Sequence, residues 1–438
     1  MSSIPVRLGI LGCGNVGAAL VKIILEDQSL IESQTGEVLE IAAISVRDLS
    51  VERPRWVPRE LLTLDPFSVV TDPSIDIVVE VMGGYDPAKA LIEEALRSKK
   101  SVVTANKTLL SDFGEELSEL ARSQGRDIFF EAAVAGGIPL IRSLKVSLAA
   151  ERVRRVTGIV NGTTNYILTR MSEDATSYQD ALKSAQELGY AEADPTADVG
   201  GIDASAKAAI LASIAFGRKV QYSDVYREGI TSVTLDDFAF AKRHGFTLKL
   251  LAICEWIEGA EGEEGSVSVR VHPTMVALTH PLSAVRDAFN AIFVEGDSVG
   301  ELMFYGRGAG GMPTASAVLG DIVDAAHNLR YGSTERHVVR PAAQILPFDE
   351  LDYQFYIAID VSDRPGVLAQ VATVFGANGV SIMSMEQVGL GQEARLIFIT
   401  HQAKERAVQM TLAEVRELGA VRRLVGFIRV LGNGSAQG

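Results

Sequence analysis

Short runs rich in Val, Ile and Leu recur through the first third of the chain. Each is closed by glycine, asparagine or a charged pair, and most are followed by a stretch with helical spacing. The pattern predicts strands over Val6–Leu11, Leu39–Val46, Asp76–Val81, Ser101–Lys107 and Ile128–Ala133, with helices over 18–25 and 87–97 between them. These runs are apolar on both alternating positions, as strands covered on both faces must be. A β/α alternation of this kind predicts an α/β fold, a Rossmann-type doubly wound parallel sheet over residues 1–140. An apolar helix over 314–330 would return the chain to complete it.

The pattern changes after Ile141. A strand over 153–160 ends in the polar turn Asn161-Gly-Thr-Thr-Asn165, a helix over 178–188 stops at Gly189, and another helix is expected from about 204 to 216. Strand-like runs over 266–271 and 291–295 give this middle region, 141–313, an α+β character with a sheet of its own, and 305–313 reads as a flexible loop. Residues 331–352 carry Pro341 and Pro347 without periodicity and are expected to be a linker. The remainder, 353–432, reads strand, Asp363-Arg-Pro-Gly366 turn, helix, strand, strand, helix, strand: a ferredoxin-like βαββαβ unit.

At 438 residues the chain exceeds one core, since domains average about 150 residues. With 47% hydrophobic and 22% charged residues it has ordinary globular composition, and a formal charge of -15 opposes nucleic-acid binding. Only Cys13 and Cys254 occur, which excludes a disulfide framework and suits a reducing compartment. No basic leader precedes a long apolar core and no run reaches the ~18 to 20 apolar residues of a membrane span, so a cytoplasmic location is expected.

Chemistry enters at Gly9–Gly17. Gly12, Gly14 and Gly17 have the G-x-G-x-x-G spacing between the first strand and the first helix, the arrangement that seats a dinucleotide pyrophosphate on a helix N-terminus. Arg47 and Asp48 end the second strand: an acid there suits the ribose hydroxyl of NAD and an arginine suits the 2′-phosphate of NADP, so the pair leaves both open. Met82-Gly83-Gly84 could admit the nicotinamide half, and Lys107 ends a strand on the ligand side of such a sheet. The second informative stretch is acidic: Glu192, Asp194, Asp198 and Asp203, with Lys207 one helical turn after Asp203. On spacing alone Asp203 is a helix N-cap with a lysine partner. Beside a cofactor turn, the same groups could bind an ammonium while a lysine moves a proton. Without His or Cys they could hold only a hard cation, and the spacing is not that of a Ca²⁺ loop. His272 and His280 show no base-and-orienter pattern and read as structural.

Taken together, Gly9–Gly17, Thr104–Lys107, Glu131–Pro139, Asn161–Asn165, Gly189–Pro195 and Asp203–Lys207 resemble the homoserine dehydrogenase family, along nearly the whole chain. The last block resembles an ACT domain, a regulatory module that binds amino acids. The resemblance implies interconversion of L-homoserine and L-aspartate 4-semialdehyde with NADP or NAD, and makes 141–313 a catalytic and dimerisation domain. It implies proton transfer at Lys207, with Lys107 in the same pocket and the choice between them open. Glu192, Asp203 and Asp198 would hold substrate, in a pocket where two modules face each other. Cofactor contacts are implied at Gly12, Gly14, Asn15, Val16, Gly17, Arg47, Gly83, Lys107, Gly189 and Gly306. A monovalent cation site, Na⁺, is implied at Glu131 with the backbone carbonyls of Val134, Gly136 and Ile138. Threonine is the implied ligand of paired ACT domains, with Asn378 and Gly379 helping to line its site, and a homodimer or homotetramer is implied. Another amino-acid or semialdehyde dehydrogenase would share the glycine turn and the acidic pocket. A non-enzymatic nucleotide and amino-acid sensor would need no proton-transfer lysine.

Overall fold

The computed structural model describes residues 4–334 and 340–431. They form two compact units: Met1–Val156, Ala206–Asp224 and Phe289–Ala343 make the first, and Thr157–Ser205, Val225–Ala288 and Gln344–Gly438 the second.

In the first unit, β1 (Val6–Leu11), β2 (Leu39–Ser45), β3 (Leu62–Thr63), β4 (Ile77–Glu80), β5 (Ser101–Thr104) and β6 (Ile128–Phe129) form a parallel sheet in the order β3-β2-β1-β4-β5-β6. Helices α1 (Asn15–Glu26), α2 (Gln28–Thr35), α3 (Pro66–Thr71), α4 (Ala88–Arg97) and α5 (Lys107–Gln124) supply the alternation. Leu8, Ile10, Ile77, Val79 and Val103 are fully buried, which accounts for strands without polar alternation. The strand expected over 128–133 stops at Phe129. Glu131 gives its N–H to the Asp321 carboxylate at 2.7 Å rather than to a neighbouring strand, and Glu131–Ala133 turns as a 3₁₀ helix.

The chain leaves this unit along β7 (Val153–Ile159) and enters the second through α6 (Gly162–Asp174), α7 (Tyr178–Glu187) and α8 (Thr196–Val199). Next comes α9 (Ile202–Ala215), which belongs to the second unit through Ser205 and to the first from Ala206 on, and then, in the second unit, β8 (Tyr226–Arg227) and α10 (Leu235–Arg243). Then β9 (Phe246–Ile257) and β10 (Ser266–Ala277) pair antiparallel along their whole length. The pattern did not reveal β9, because seven consecutive residues, Leu248–Cys254, are buried and no alternation survives. β10 continues six residues beyond its expected end, through Pro273, which falls between two partners: β8 pairs with Arg270 and Val271, and a later strand takes over at Thr274. The proline is thus not asked for a ladder hydrogen bond there.

Back in the first unit, β11 (Phe289–Gly296) and β12 (Gly300–Arg307) form a hairpin, so part of the expected 305–313 loop is strand. Helix α11 (Gly311–Tyr331) then packs on α1, and Ala315, Val318, Ile322 and Ala325 join the sheet's core.

The C-terminal block has the expected order: β13 (Asp352–Ser362), α12 (Val367–Ala377), β14 (Ile382–Leu390), β15 (Glu393–Thr400), then, after the short β16 (Ala403–Lys404), α13 (Glu405–Arg416) and β17 (Val421–Leu431). Its far end, residue 432, lies outside the described residues. Phe355, Ile357, Phe375, Phe398, Val408 and Leu412 form its core. The block does not stand apart within its unit. β17 pairs in parallel with β10, giving the order β9-β10-β17-β13-β15-β14. At that junction Arg429, 1% exposed, bonds Glu405 at 2.7 Å and Glu228 at 2.9 Å. On the sheet face away from α12 and α13, Tyr356 packs on Phe240 of α10, and Arg395 joins Asp360 to Asp236 at 2.7 and 2.6 Å. Much of the expected linker is packed as well: Leu346 bonds Val267, and Phe348 stacks on Tyr226. Residues 335–339 of that linker lie outside the described residues.

Lys249 of β9 is 4% exposed and donates to Asn165 Oδ1 at 3.1 Å and to the Val285 carbonyl. Burial pushes its pKa down to about 8 from 10.5. Between those values the unfolded chain holds a proton that the native state has released, so this residue's contribution makes stability rise with pH. Denaturant unfolding of wild type and Lys249→Met should show wild type gaining on the order of 2–3 kcal/mol relative to the variant from pH ~8 to ~10.5. A constant difference across that window would mean that the ammonium is not desolvated in this way.

Candidate active site

The glycine turn is built as its spacing demands. Gly12 has φ +103° beside the Val81 carbonyl, a conformation and a space that exclude a side chain. Gly17 lies in α1 directly against the Gly12 carbonyl, so a methyl group there would overlap it. Gly14, exposed at the head of α1, has nothing within 4 Å of where a side chain would start. No side chain caps α1, and its first internal bond is Ala18 N–H to Gly14 O at 2.9 Å. The N–H groups of Asn15, Val16 and Gly17 are therefore left for an anion.

Past β2, Arg47 is exposed and Asp48 is engaged by Ser50, not by Arg47: the Ser50 N–H and hydroxyl both bond its Oδ1 at 2.7 Å. These two bonds hold the Asp48 carboxyl below its ordinary pKa. The following loop folds back on α1, with the Trp56 indole donating to the Ala18 carbonyl at 2.9 Å. Arg53 of the same loop reaches Cys13 in the glycine turn, whose thiol burial pushes up in pKa.

Glu80, fully buried at the end of β4, is the keystone on the other side. Its Oε1 accepts from Met82 N–H and Gly83 N–H at 2.8 and 2.9 Å, and its Oε2 accepts from Thr104 Oγ1 at 2.6 Å. Thr104 Oγ1 accepts in turn from Asn106 N–H at 3.0 Å. Asn106 donates to the Gly84 carbonyl at 2.7 Å and caps α5 through Leu109 N–H. Lys107 is the first residue of α5. One buried carboxylate thus fixes both the Met82–Gly84 loop and the helix start that carries Lys107.

At the expected cation loop, both carboxylate oxygens of Glu131 accept hydrogen bonds, from Ile141 N–H at 2.8 Å and Arg142 N–H at 2.7 Å. These bonds tie the side chain to the following helix start and leave each carboxylate oxygen further acceptor capacity, while the Glu131 carbonyl accepts from Val134 N–H. Gly136, at φ +54°, packs on Gly308, and Gly306 lies over Ile138. The loop expected to touch cofactor and the loop expected to hold a cation are thus neighbours. Among the described residues no three His, Cys, Asp or Glu side chains are grouped to hold a metal.

The second unit carries the acids. Asp198 of α8 and Asp203 of α9 are brought together by Asn161, whose Nδ2 donates to Asp198 Oδ1 at 2.7 Å and to Asp203 Oδ2 at 2.9 Å. Asp203 is the second residue of α9 and not its N-cap, and Lys207 follows one turn later; the two are only 9% and 8% exposed. Asp194 turns away, accepting from Thr196 N–H and Oγ1 at 3.0 and 2.6 Å, bonds that hold its carboxyl low. The Glu192 side chain is exposed, while its carbonyl accepts from Gln186 at 3.1 Å. Gly189, at φ +74°, turns the chain out of α7, and the Tyr190 carbonyl after it accepts from Thr163 at 2.6 Å. His272 is fully buried, which pushes its pKa well down, and His280 accepts from Leu282 N–H at 3.1 Å.

Family models match this architecture in order: homoserine dehydrogenase NAD-binding domain over 12–131, homoserine dehydrogenase over 139–323, and ACT domain over 355–420. A homoserine dehydrogenase of Mycobacterium tuberculosis is 48% identical, with 98% of each chain covered. The chain belongs to the homoserine dehydrogenase family. The crystal structure of a homoserine dehydrogenase from Thiobacillus denitrificans superposes with a TM-score of 0.91 at 38% identity, covering 98% of both chains. A hyperthermophilic archaeal homoserine dehydrogenase in complex with NADPH matches 74% of this chain and 98% of its own, with a TM-score of 0.62 and 29% identity. Homoserine dehydrogenases are oxidoreductases, and this chain has the family's NAD(P)-binding domain and an ACT domain. No helix among the described residues is long and apolar enough to cross a membrane.

Glu80 was not among the expected site residues of this homoserine dehydrogenase, because a glutamate closing an apolar strand has no distinctive spacing. Its variants test the keystone: Glu80→Ala should raise the KM for cofactor and lower kcat/KM by roughly 10- to 100-fold, the effect of stranding about 1–3 kcal/mol of buried donors. Glu80→Gln, which keeps one acceptor for Met82 and Gly83, should fall between it and wild type. Steady-state kinetics with unchanged cofactor KM in both variants would remove Glu80 from this role.

Proposed function

We propose that this chain interconverts L-homoserine and L-aspartate 4-semialdehyde with NADP as preferred coenzyme, and that Lys207 relays the hydroxyl proton. The observation that carries the assignment of roles is the buried row on α9, where Lys207 follows Asp203 by one turn and Asp203 shares a donor with Asp198. Carboxylates attract the ammonium of an amino acid, which can join the hydrogen bonds that Asp198 and Asp203 already make. Asp203 and Asp198 would orient the amino acid, and Glu192, on its exposed loop, would close on it when substrate binds. Lys207 then takes the hydroxyl proton on oxidation and returns it on reduction. Bound nicotinamide supplies the two-electron acceptor. Lys107, fixed by the Glu80 network, orients the reacting end.

The free N–H groups at Gly14–Gly17 suit the pyrophosphate, Gly83 the nicotinamide half, and Gly189 and Gly306 further cofactor contacts. The NADP preference rests on Arg47 being exposed while Asp48 is committed to Ser50. A monovalent cation, Na⁺, would be held by Glu131 together with the backbone carbonyls of Val134, Gly136 and Ile138. Threonine would bind at Asp363–Gly366, where Gly366 at φ +89° opens α12. Asn378 would take part only through its oxygen, as its amide nitrogen bonds Val374 and Glu414. A homodimer would form through β12, which pairs only with β11 among the described residues and exposes Met303 and Tyr305.

Steady-state assay of homoserine oxidation with each coenzyme, repeated with L-threonine, should give higher kcat/KM with NADP and a rate that falls as threonine rises. Equal rates at all threonine concentrations would exclude threonine as the effector. Lys207→Ala should lose roughly 10²- to 10⁴-fold in kcat while still binding coenzyme, measured by fluorescence titration. Turnover within a few-fold of wild type would assign the proton to another group.

A further inference from the structure

Asn161 lies just beyond the strand that enters the second unit and caps α6: its Oδ1 accepts from Thr164 N–H and Thr164 Oγ1, each at 2.9 Å. That double acceptance fixes which branch of the amide is oxygen, and so turns Nδ2 with its two hydrogens to the opposite side. One reaches Asp198 Oδ1 at 2.7 Å and the other Asp203 Oδ2 at 2.9 Å. The amide is 5% exposed, Asp203 is 9% exposed and Asp198 is half-buried, so water screens this pair only in part.

Resting on the substrate-binding role proposed for Asp198 and Asp203, we infer that Asn161 is a positioning residue that sets the spacing of the acid pair and thereby the affinity for the amino-acid substrate. Few side chains meet the requirement. The group must offer two hydrogens to two anions without adding charge that would compete with the substrate's ammonium, and must also cap a helix with its other branch. Aspartate caps but places a third carboxylate between two others. Serine caps but offers neither amide hydrogen. Lysine offers hydrogens but neutralises the charge that substrate must find.

The test is steady-state kinetics of the full chain with homoserine and coenzyme across about pH 6–9, for Asn161→Asp and Asn161→Ser. Asn161→Asp should raise the homoserine KM roughly tenfold or more at the alkaline end. The effect should recede toward about pH 6, where the added carboxyl, its pKa raised by two anionic neighbours, regains a proton to donate. Asn161→Ser, which keeps the cap, should raise the homoserine KM at every pH without that recovery. Coenzyme KM should stay within about twofold in both, as a purely structural defect would not allow. An unchanged homoserine KM in both variants, a pH-independent Asn161→Asp effect, or an equal rise in coenzyme KM would each overturn the inference. Wild type that fails to oxidise homoserine while oxidising another hydroxy amino acid would sink the substrate assignment alone; the same KM pattern of the two variants on that compound would support the role of Asn161, and its absence would overturn it.

Discussion

A charge taken out of water must be met by hydrogen bonds, and the architecture of this chain is largely an answer to that demand. Glu80 is buried at a strand end and is answered by two backbone N–H groups and a threonine. Glu131 is answered by two more N–H groups. Burial pushes Asp321 up to about 8, even though it receives the Glu131 N–H. In the second unit Lys249 is answered by an amide and a carbonyl, and Arg429 by two carboxylates. Apart from Thr104 at the end of β5, the partners come from loops or the first turns of helices, so satisfying the charge also fixes the backbone there. The residues proposed to act on substrate or coenzyme follow directly from such anchors: Lys107 after Asn106, and the Asp198–Asp203 pair around Asn161.

How much of this could be read beforehand depended on whether the signal was local. Gly12 and Gly17 were legible because a positive φ at the first and contact with the Gly12 carbonyl at the second restrict those positions to glycine whatever the rest of the chain does, and Gly14 completed the spacing. The C-terminal βαββαβ order was legible because its elements are separated by clear turn signals such as Asp363–Gly366 and Asn378-Gly379. The strand Phe246–Ile257 was not, since covering both faces erased its period. Glu80 and Asn161 escaped because their partners lie 24 and 42 residues away at Thr104 and Asp203, a distance no spacing rule covers. The acids were read as a cluster, and the structure sorts them: Asp198 and Asp203 together, Asp194 spent on a helix start, Glu192 in solvent.

Within the second unit the amino-acid-binding module and the acid-bearing helices are joined by short covalent and noncovalent steps. Arg429 of β17 holds Glu228. Two residues on, Ile230 N–H bonds the Val199 carbonyl at 2.9 Å, next to Asp198. Gly229 lies so close to Val199 that a side chain there would collide. Homoserine dehydrogenases that carry an ACT domain therefore need not be pictured, in this chain's case, as an enzyme with a loosely tethered sensor.

The parallel pairing of β10 with β17 also governs how the molecule comes to be folded. Thr274 meets Arg429, partners separated by 155 positions (429 − 274), and β17 lies inside the sheet with β10 on one side and β13 on the other. Until that meeting occurs, two strand edges stay open in the nascent chain. Contacts of such long sequence separation form slowly, because a large loop must close first. The half-assembled sheet is then the species on which chaperones and aggregation compete.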